Sequence, residues 1–343
     1  MLVAFELSGE HDTLPKAEVL ACLNALCIVY DAKMFLNGIL VIDAQIRPET
    51  LAVLSNRLGM THRIYEVDGM SEPKEDAILA MVKNVDVYKF MEKGSTFAVR
   101  MPKNSSYPEK KAIIEQVGAI IKGKGYKVNL SNPSKTFVLL LTEQTCFFCL
   151  LLHSKDKKRY GARKPQFRPF FSPGVILPKV ARALVNLSGI KENELFLDPF
   201  CGTGGLLIEA GMIGVRVIGI DVQEQMVRGT AENLNFYGLS GDLIVGDAAK
   251  TPLRDKCIDA IATDMPYGRS SLIARSGFAP SLERLFPDAL AEIHRLLKPG
   301  GKAVIVSNFP YSRSPEHFFH ALETYVYRVH KSLNRYITVL KKA

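Results

Sequence analysis

The fold of this protein is indicated most clearly by residues 194–221, ELFLDPFCGTGGLLIEAGMIGVRVIGID. It contains an apolar strand, a glycine-rich turn, a helix and a second apolar strand, and each strand ends at an aspartate. Strand and helix patterns keep alternating after it, and one or two further strands are predicted at the end of the chain. Continuous apolar strands that alternate with helices are typical of a parallel sheet covered on both faces. The sequence therefore predicts an α/β fold with a doubly wound, mostly parallel Rossmann-type sheet over residues 171–343.

Three further segments are predicted before this region. Residues 1–68 combine strands with two helical patterns into a small α+β unit, and residues 69–153 form a second, lysine-rich α+β unit. Within the second unit, TFVLLLTEQTCFFCLLL (residues 136–152) predicts buried strands interrupted by polar residues. Residues 154–170 form a basic linker, and PGVILPKVARALVNLSG (residues 173–189) is predicted to be the first helix of the Rossmann-type region.

The composition limits the class of partner. The chain has 343 residues, with 44 Lys and Arg against 35 Asp and Glu, and this basic surplus favours polyanionic partners. The opening MLVAFELSGEHDT lacks the pattern of a signal peptide, and no apolar run reaches the roughly 18 residues that a membrane-spanning helix needs. A cytoplasmic protein with no membrane segment is therefore expected.

The cysteine pattern does not favour a metal site. Cys146 and Cys149 have the spacing of a metal-ligand pair, but a structural zinc ion needs four ligands and the sequence offers no second pair nearby. Both residues lie in an apolar run, which favours buried thiols. We therefore expect no bound metal ion.

The linker is a candidate RNA-binding segment. Its seven basic residues are accompanied by one aspartate, and Tyr160, Phe167 and Phe170 lie among them. Basic side chains mixed with aromatic rings suit phosphate contacts and base stacking, although a solvated linker has the same composition. The candidate RNA-binding residues are Lys155, Lys157, Lys158, Arg159, Arg163, Lys164 and Arg168, with Arg269 as a further candidate in a later loop.

Ligands of doubly wound sheets bind at the carboxyl ends of the strands, so the residues at those ends form the candidate site. At the first end, Gly202 and Gly204 permit a tight turn and close approach of the backbone to a ligand. Asp198 precedes them and can accept hydrogen bonds from an ammonium group. The other predicted cofactor-binding residues of this turn are Pro199, Cys201 and Thr203.

The next two strand ends each carry an acid. Asp221, followed by Val222, can accept hydrogen bonds from both hydroxyls of a ribose, although a cap on the following helix is the alternative. Asp247 can accept a hydrogen bond from the exocyclic amine of adenine, and Ala248 offers a backbone N–H to the ring. Acids for an amino-acid ammonium group, a ribose and an adenine on successive strands match S-adenosylmethionine as the cofactor.

The fourth strand ends in TDMPYG, residues 263–268. The carboxylate of Asp264 and the carbonyl of Met265 are two acceptors for an exocyclic amino group. Pro266 fixes the local backbone, and Tyr267 can stack on a flat ring. Acceptors that hold the hydrogens of an amine orient its lone pair toward a methyl sulfonium. These four residues are the predicted catalytic residues, and Asp264 is also a predicted cofactor-binding residue. A simple strand stop is the alternative for the tetrapeptide taken alone.

The five motifs LDPFCGTGG, VIGIDV, VGDA, TDMPYG and LLKPGG together resemble the Rossmann-fold S-adenosylmethionine-dependent methyltransferases of amino groups. The first half of the chain, together with RPFFSPGVILPKVARALVNL (residues 168–187), resembles the THUMP-containing tRNA methyltransferases. Within that group, YGRSS and HKSLNRYITVL are similar to the archaeal tRNA guanine-N2 methyltransferases that act at position ten. The resemblance covers nearly the whole chain.

The resemblance implies a ferredoxin-like unit over residues 1–68, a THUMP RNA-binding domain over residues 69–153, and a methyltransferase domain over residues 171–343. It implies methyl transfer to N2 of a guanosine in tRNA. One departure is that the family usually has proline where Met265 stands. Whether one or two methyl groups are added, and whether a small activating protein partner is required, stays open. Apart from such a partner, the chain is expected to be a monomer.

Three alternatives also fit the sequence. The first is a THUMP methyltransferase for another guanosine in tRNA or rRNA. The second is a DNA adenine-N6 methyltransferase, which shares the fourth motif, but the sequence offers no obvious DNA-reading helix. The third is a catalytically silent RNA-binding protein, and retention of all four acidic strand ends counts against it.

Overall fold

The computed structural model describes residues 1–102, 107–156, 158–266, 282–311, 319–330 and 333–343. These residues form two compact units. The first comprises Met1–Gly9, Ile28–Arg47 and Thr61–Lys155, and the second comprises Glu10–Cys27, Pro48–Met60 and Asp156–Ala343.

The secondary structure follows the predicted alternation. The strands are β1 (Leu2–Leu7), β2 (Tyr30–Leu36), β3 (Ile39–Ala44), β4 (Thr61–Ser71), β5 (Thr96–Arg100), β6 (Lys127–Val128), β7 (Lys135–Leu141), β8 (Cys146–Ser154), β9 (Leu195–Asp198), β10 (Arg216–Asp221), β11 (Asp242–Val245), β12 (Ile258–Asp264), β13 (Leu297–Ser307), β14 (Phe319–His330) and β15 (Leu333–Lys342). The α-helices are α1 (Leu14–Ala25), α2 (Pro48–Arg57), α3 (Glu75–Asn84), α4 (Lys110–Gly123), α5 (Lys158–Gly161), α6 (Pro178–Leu187), α7 (Gly205–Gly211), α8 (Glu224–Phe236) and α9 (Leu282–Leu296).

The first unit is built on an eight-stranded sheet in the order β2-β3-β1-β4-β8-β7-β5-β6. Strand β4 pairs antiparallel with both β1 and β8, so strands from before and after residue 69 share one continuous sheet. Helices α3 and α4 contribute Ile78 and Val117 to a core that also contains Phe137 and Phe148 of the sheet. The apolar run at residues 136–152 forms two buried strands, β7 and β8, as predicted.

The two cysteines with metal-ligand spacing lie on β8 and are fully buried. Burial raises the pKa of the Cys146 thiol to about 12, and it also raises that of Cys149 well above the usual value. The interpretation of these residues as buried thiols is therefore confirmed. In the described part of the chain, no cluster of three or more His, Cys, Asp or Glu side chains is arranged to hold a metal ion.

The second unit contains a seven-stranded sheet in the order β11-β10-β9-β12-β13-β15-β14. Strands β9 to β13 are parallel, and β15 runs antiparallel to both β13 and β14. Ala262 and Ile337 lie in an apolar core with side chains of α6 and α7, whereas Ile261 and Leu340 lie in a second core with side chains of α9. Helices therefore cover both faces of the sheet, and the predicted doubly wound, mostly parallel fold is confirmed.

Helix α6 begins later than predicted. The sequence predicted a helix over residues 173–189, but α6 starts at Pro178, which occupies its first turn. Proline is favoured there because the amide hydrogens of the first turn have no partner within the helix. Gly174 has a φ of +85°, which an L-residue in a helix does not adopt. The segment 172–176 is consequently free to line a cavity.

Helices α1 and α2 belong to the second unit, although the strands before and after them belong to the first. Leu14 and Met60 are fully buried in the same core as α6. The fully buried Glu18 carboxylate accepts hydrogen bonds from Gly59 N at 2.6 Å, Met60 N at 2.7 Å and Asn186 Nδ2 at 2.8 Å. Polar and apolar contacts therefore both hold α1 and the residues after α2 against α6.

Among the described residues, no helix combines the length and the apolar character that crossing a membrane requires.

Candidate active site

The glycine turn between β9 and α7 is held in shape by α8. Gly202 and Gly204 have φ values of +50° and +76°, in the left-handed region that favours glycine. A Cβ atom at Gly204 would lie 2.8 Å from Thr230 Cγ2, which leaves no room for a side chain. Thr230 Oγ1 donates a hydrogen bond to Gly202 O at 2.8 Å, and Asn233 Nδ2 donates to Thr203 O at 2.9 Å. The turn is thus a rigid backbone cradle that a ligand can approach closely.

Asp198 ends β9 at the edge of this cradle and is 2% exposed. Its Oδ1 atom accepts hydrogen bonds from Thr263 Oγ1 at 2.7 Å and from Phe200 N at 3.2 Å. Burial raises the pKa of Asp198 to about 7, and the nearby carboxylates of Asp264 and Asp221 raise it further, against these two hydrogen bonds. A cation bound beside Asp198 would stabilise its charged form.

Asp221 ends β10 and is bonded to the glycine turn. Its Oδ2 accepts a hydrogen bond from Gly202 N at 3.0 Å, and its Oδ1 accepts one from Gln223 N at 2.9 Å. Burial raises its pKa, and both hydrogen bonds oppose that shift. Each carboxylate oxygen has more than one acceptor position, so these bonds leave capacity for ligand hydroxyls.

Asp247 follows β11 and is exposed, whereas Ala248 beside it is buried. Asp247 Oδ1 accepts a hydrogen bond from Ala249 N at 2.9 Å, which fixes the carboxylate relative to its own loop. The loop is also held by Thr251, whose backbone N donates to Glu292 Oε1 of α9 at 2.8 Å. The third acidic strand end is therefore well ordered.

Asp264 ends β12 and is paired with an arginine. Arg335 Nη2 lies 3.1 Å from Asp264 Oδ2 and also donates to Gly174 O at 2.6 Å. Burial raises the pKa of Asp264 to about 7, while the charge and hydrogen bond of Arg335 oppose the shift. Tyr267, the predicted stacking residue, lies outside the described residues.

Met265, which stands where proline was expected, has a structural explanation. Its backbone N–H donates to Val306 O on β13 at 2.9 Å, a bond that proline cannot make. Its side chain is 4% exposed and belongs to the apolar core that contains Leu290 of α9. The hydrogen bond and the buried side chain together fix the backbone that proline would otherwise make rigid.

These elements meet at a cavity of about 450 Å³. It brings the glycine turn and Asp198 together with Asp264, which come from neighbouring strands of the sheet. The predicted site residues that line it are Asp198, Cys201, Gly202, Thr203, Asp264, Met265 and Pro266. The predicted residues Pro199, Gly204, Asp221, Val222, Asp247 and Ala248 do not line it. Its remaining walls come from segment 172–176 and from Phe200, Gly205, Leu206, Met226, Leu333 and Arg335.

Comparison with known proteins agrees with this geometry. Residues 165–335 match the RMKL-like methyltransferase domain, and residues 72–151 match the THUMP domain. The tRNA (guanine(10)-N2)-dimethyltransferase of Methanothermobacter thermautotrophicus is 36% identical, with 98% of each chain covered. The enzyme of the same name from Methanocaldococcus jannaschii is 32% identical, with 99% of this chain and 100% of the relative covered. The chain belongs to the tRNA (guanine(10)-N2)-dimethyltransferase family.

As a member of this family, the protein is an S-adenosylmethionine-dependent methyltransferase. The crystal structure of TrmN from Thermus thermophilus has the same fold, with a TM-score of 0.55 at 18% identity and full coverage of both chains. The residues around the cavity fit the family's cofactor, because a positive-φ glycine cradle lies beside a buried carboxylate that favours a bound cation.

The structure corrects two predicted RNA contacts. Arg163 is 6% exposed and makes two hydrogen bonds to Glu209, from Nε at 2.8 Å and from Nη2 at 3.0 Å. Arg168 is 5% exposed, and its guanidinium donates to Arg163 O. Both side chains are buried against protein partners, so the prediction that they bind RNA phosphates is wrong.

The other predicted RNA contacts differ in accessibility. Lys158 and Lys164 are exposed, while Lys155 and Arg159 are half-buried. Lys157 and Arg269 lie outside the described residues. The exposed and half-buried basic residues of this segment stay candidates for RNA binding.

The sequence interpretation missed Arg335, Thr230 and Asn233. Thr230 and Asn233 lie four and seven residues after Met226, so the sequence predicts that they share one face of α8. It does not predict that this face bonds to the backbone of the glycine turn. For Arg335 no local pattern was available, because its contact depends on the position of β15 next to β13 in the sheet.

Proposed function

We propose that this protein transfers methyl groups from S-adenosylmethionine to the exocyclic N2 atom of guanosine 10 in tRNA. The products are N2-methylguanosine and N2,N2-dimethylguanosine, and each transfer leaves S-adenosylhomocysteine and releases one proton from N2. The names of the two archaeal relatives that match nearly the whole chain support this substrate and this degree of methylation. The observation that carries the proposal is the shared cavity of Asp198 and Asp264, because methyl transfer needs a cofactor site and an amine-binding site side by side.

The cofactor would be held by the strand ends in order. Asp198 would accept hydrogen bonds from the ammonium group of the methionine moiety, and the turn at Gly202 would approach it closely. Asp221 would bind the ribose hydroxyls, while Asp247 and the backbone of Ala248 would bind the adenine. The burial of Asp198 and the hydrogen bonds of Asp221 to the turn support these roles. The bound cofactor supplies an electrophilic methyl group.

The guanine amine would be held at the fourth strand end. The Asp264 carboxylate and the Met265 carbonyl would accept hydrogen bonds from the two N2 hydrogens, and Tyr267 would stack on the base. The lone pair of an arylamine is delocalised into the ring, so fixing its hydrogens and its direction supplies much of the rate acceleration. The rigid backbone at Met265 supports this role, since a fixed acceptor needs no reorganisation during the reaction.

The macromolecular partner would be tRNA. The THUMP match over residues 72–151 and the exposed Lys158 and Lys164 support an RNA-binding role for these regions. A cytoplasmic location, a monomeric chain and a small activating protein partner belong to the same proposal as expectations.

The test is methyl transfer from radiolabelled S-adenosylmethionine to an unmodified tRNA transcript, with the labelled nucleoside and its position identified. We expect label in N2-methylguanosine and N2,N2-dimethylguanosine at position 10. The matched transcript carries adenosine at position 10 and should receive no label. Label at another guanosine, in rRNA only, or on N6 of adenosine would replace the proposed substrate.

The matched enzyme variant is Asp264→Ala. It removes an acceptor for the amine, so we expect methyl transfer to fall at least about a hundredfold, the loss typical of one preorganised electrostatic contact. Calorimetric binding of S-adenosylmethionine should stay within about threefold of the unmodified enzyme. Loss of cofactor binding in this variant would contradict the assignment of Asp264 to the guanine.

A further inference from the structure

Arg335 is a buried arginine that reaches the candidate catalytic carboxylate from a strand that does not pair with it. In the sheet, Asp264 lies opposite Val306 of β13, and Val306 lies opposite Ile337 of β15. Residues two apart on a strand point to the same face, so Arg335 shares the face of Ile337. From there its side chain extends past the end of β13 to Asp264.

The guanidinium contacts two parts of the cavity wall. Nη2 lies 3.1 Å from Asp264 Oδ2 and 2.6 Å from Gly174 O, which belongs to segment 172–176. The Arg335 side chain is 7% exposed and that of Asp264 is 21% exposed, so solvent screens this ion pair only weakly. The planar fork of arginine can direct donors at two acceptors in fixed positions, which a lysine ammonium cannot reproduce.

The contact between Arg335 and Asp264 balances negative charge in the cavity. Asp198, on the neighbouring strand β9, adds negative charge to the same cavity. Segment 172–176 and the described end of β13 contribute no ionisable side chain to it. Among the described residues that line the cavity, Arg335 is therefore the only one that carries a positive charge.

We propose that Arg335 is a positioning residue for methyl transfer, which keeps the Asp264 carboxylate charged and correctly oriented and ties it to segment 172–176. The inference rests on the proposed role of Asp264 as an acceptor for the guanine amine. An ionised carboxylate accepts hydrogen bonds at both oxygens, whereas its protonated form presents an O–H donor at one of them. Burial alone favours the protonated form, and Arg335 opposes this effect by its charge and its hydrogen bond.

The experiment is single-turnover methyl transfer to unmodified tRNA at saturating S-adenosylmethionine between pH 5.5 and 9. Rates are compared for the unmodified enzyme, Arg335→Gln and Arg335→Lys. We expect the rate to rise with pH as Asp264 ionises. In Arg335→Gln the midpoint of this rise should move up by about one pH unit, so that the rate falls about tenfold at low pH and recovers at high pH. Arg335→Lys keeps the charge, so its midpoint should stay close to that of the unmodified enzyme.

The control is Arg328→Gln, which removes an exposed arginine from β14 and should leave the midpoint unchanged. An Arg335→Gln profile that drops equally at every pH, with its midpoint unmoved, would show a merely structural role and overturn the inference. If Arg335→Gln does not fold, Arg335→Ala takes its place: an upward shift of the midpoint supports the inference, and an unmoved midpoint overturns it.

Two measurements on the same reaction test this inference and the proposed function separately. The position of the methylated nucleotide tests the substrate, whereas the pH midpoint tests Arg335 whichever guanosine is methylated. An unmodified enzyme that methylates no guanosine would refute the proposed function, and the role of Arg335 would fall with it.

Discussion

At the level of single residues, the buried environment of Asp198 predicts that cofactor binding depends on pH. Burial raises its pKa to about 7, with the charges of Asp264 and Asp221 adding to the effect. As pH falls through this value the carboxyl group becomes neutral, and only its charged form pairs with an ammonium group. The affinity for S-adenosylmethionine should therefore fall by up to about tenfold per pH unit below about pH 7.

Isothermal titration calorimetry between about pH 5.5 and 7 measures this dependence, because the α-amino group of the cofactor stays mostly protonated in that range. Proton release on binding, obtained from buffers with different ionisation enthalpies, is the second readout. Asp198→Asn should bind more weakly and lose most of the pH dependence. A flat affinity for the unmodified protein, or an unchanged slope in Asp198→Asn, would contradict the role of Asp198.

The sequence was sufficient for the positions of residues that follow from a local rule, whereas their roles stay predictions. An acid at the end of an apolar strand faces the ligand edge of a parallel sheet, and this rule located Asp198, Asp221 and Asp264. Arg335 could not be found in this way, because its partner Asp264 is 71 residues away in the sequence. Arg163 was assigned wrongly for a related reason: its carboxylate partner lies 46 residues further along the chain, so the sequence could not distinguish it from a solvent-facing arginine.

At the scale of elements, a buried charge cluster joins the basic linker to α6 and α7. Glu209 of α7 accepts two hydrogen bonds from Arg163, and Arg182 Nη2 of α6 lies 2.9 Å from Glu209 Oε2. All three side chains are at most 7% exposed. Glu209→Ala would leave two buried guanidinium groups without their carboxylate. We expect it to lower the free energy of unfolding by about 3–5 kcal/mol, measured by denaturant unfolding.

Arg228→Ala is the matched control for this cluster. Arg228 and Glu224 form an ion pair one turn apart on α8, with side chains 75% and 63% exposed. Solvent screens such a pair, so its loss should change the free energy of unfolding by less than about 0.5 kcal/mol. Equal effects of the two substitutions would show that the Glu209 cluster contributes no more than a surface pair.

The elements themselves were largely predictable, and their membership in compact units was not. Alternating apolar strands and helices fixed the doubly wound sheet, because that pattern is written into short windows of sequence. The late start of α6 became clear only from the structure, in which Gly174 has a positive φ and Pro178 lies in the first turn. The assignment of α1 and α2 to the second unit depends on contacts between distant segments, which no window of sequence contains.

At the scale of the whole molecule, the second compact unit is assembled from three separate stretches of chain. Leu14 and Met60 fill its core beside α6, and Glu18 bonds to the backbone after α2 and to Asn186 of α6. A fragment of residues 156–343 keeps α6 and Asn186 but lacks Leu14, Glu18 and Met60. It would expose the apolar side of α6 to water and lose the hydrogen bonds that Arg182 and Asn186 make to residues 18, 56 and 57.

We therefore expect the fragment 156–343 to bind a hydrophobic dye and to lose the sharp thermal transition of the full chain, measured by calorimetry. In the full chain, Glu18→Ala leaves Gly59 N and Met60 N without their acceptor and leaves Asn186 Nδ2 only its bond to Arg57 O, so it should lower the thermal midpoint by several degrees. The exposed Glu232 of α8 offers a control, and Glu232→Ala should leave the midpoint nearly unchanged. A fragment that unfolds cooperatively at the temperature of the full chain would mean that α1 and α2 do not contribute to the stability of the methyltransferase core. If the fragment shows no cooperative transition and Glu18→Ala lowers the thermal midpoint of the full chain, the two helices are an integral part of that core.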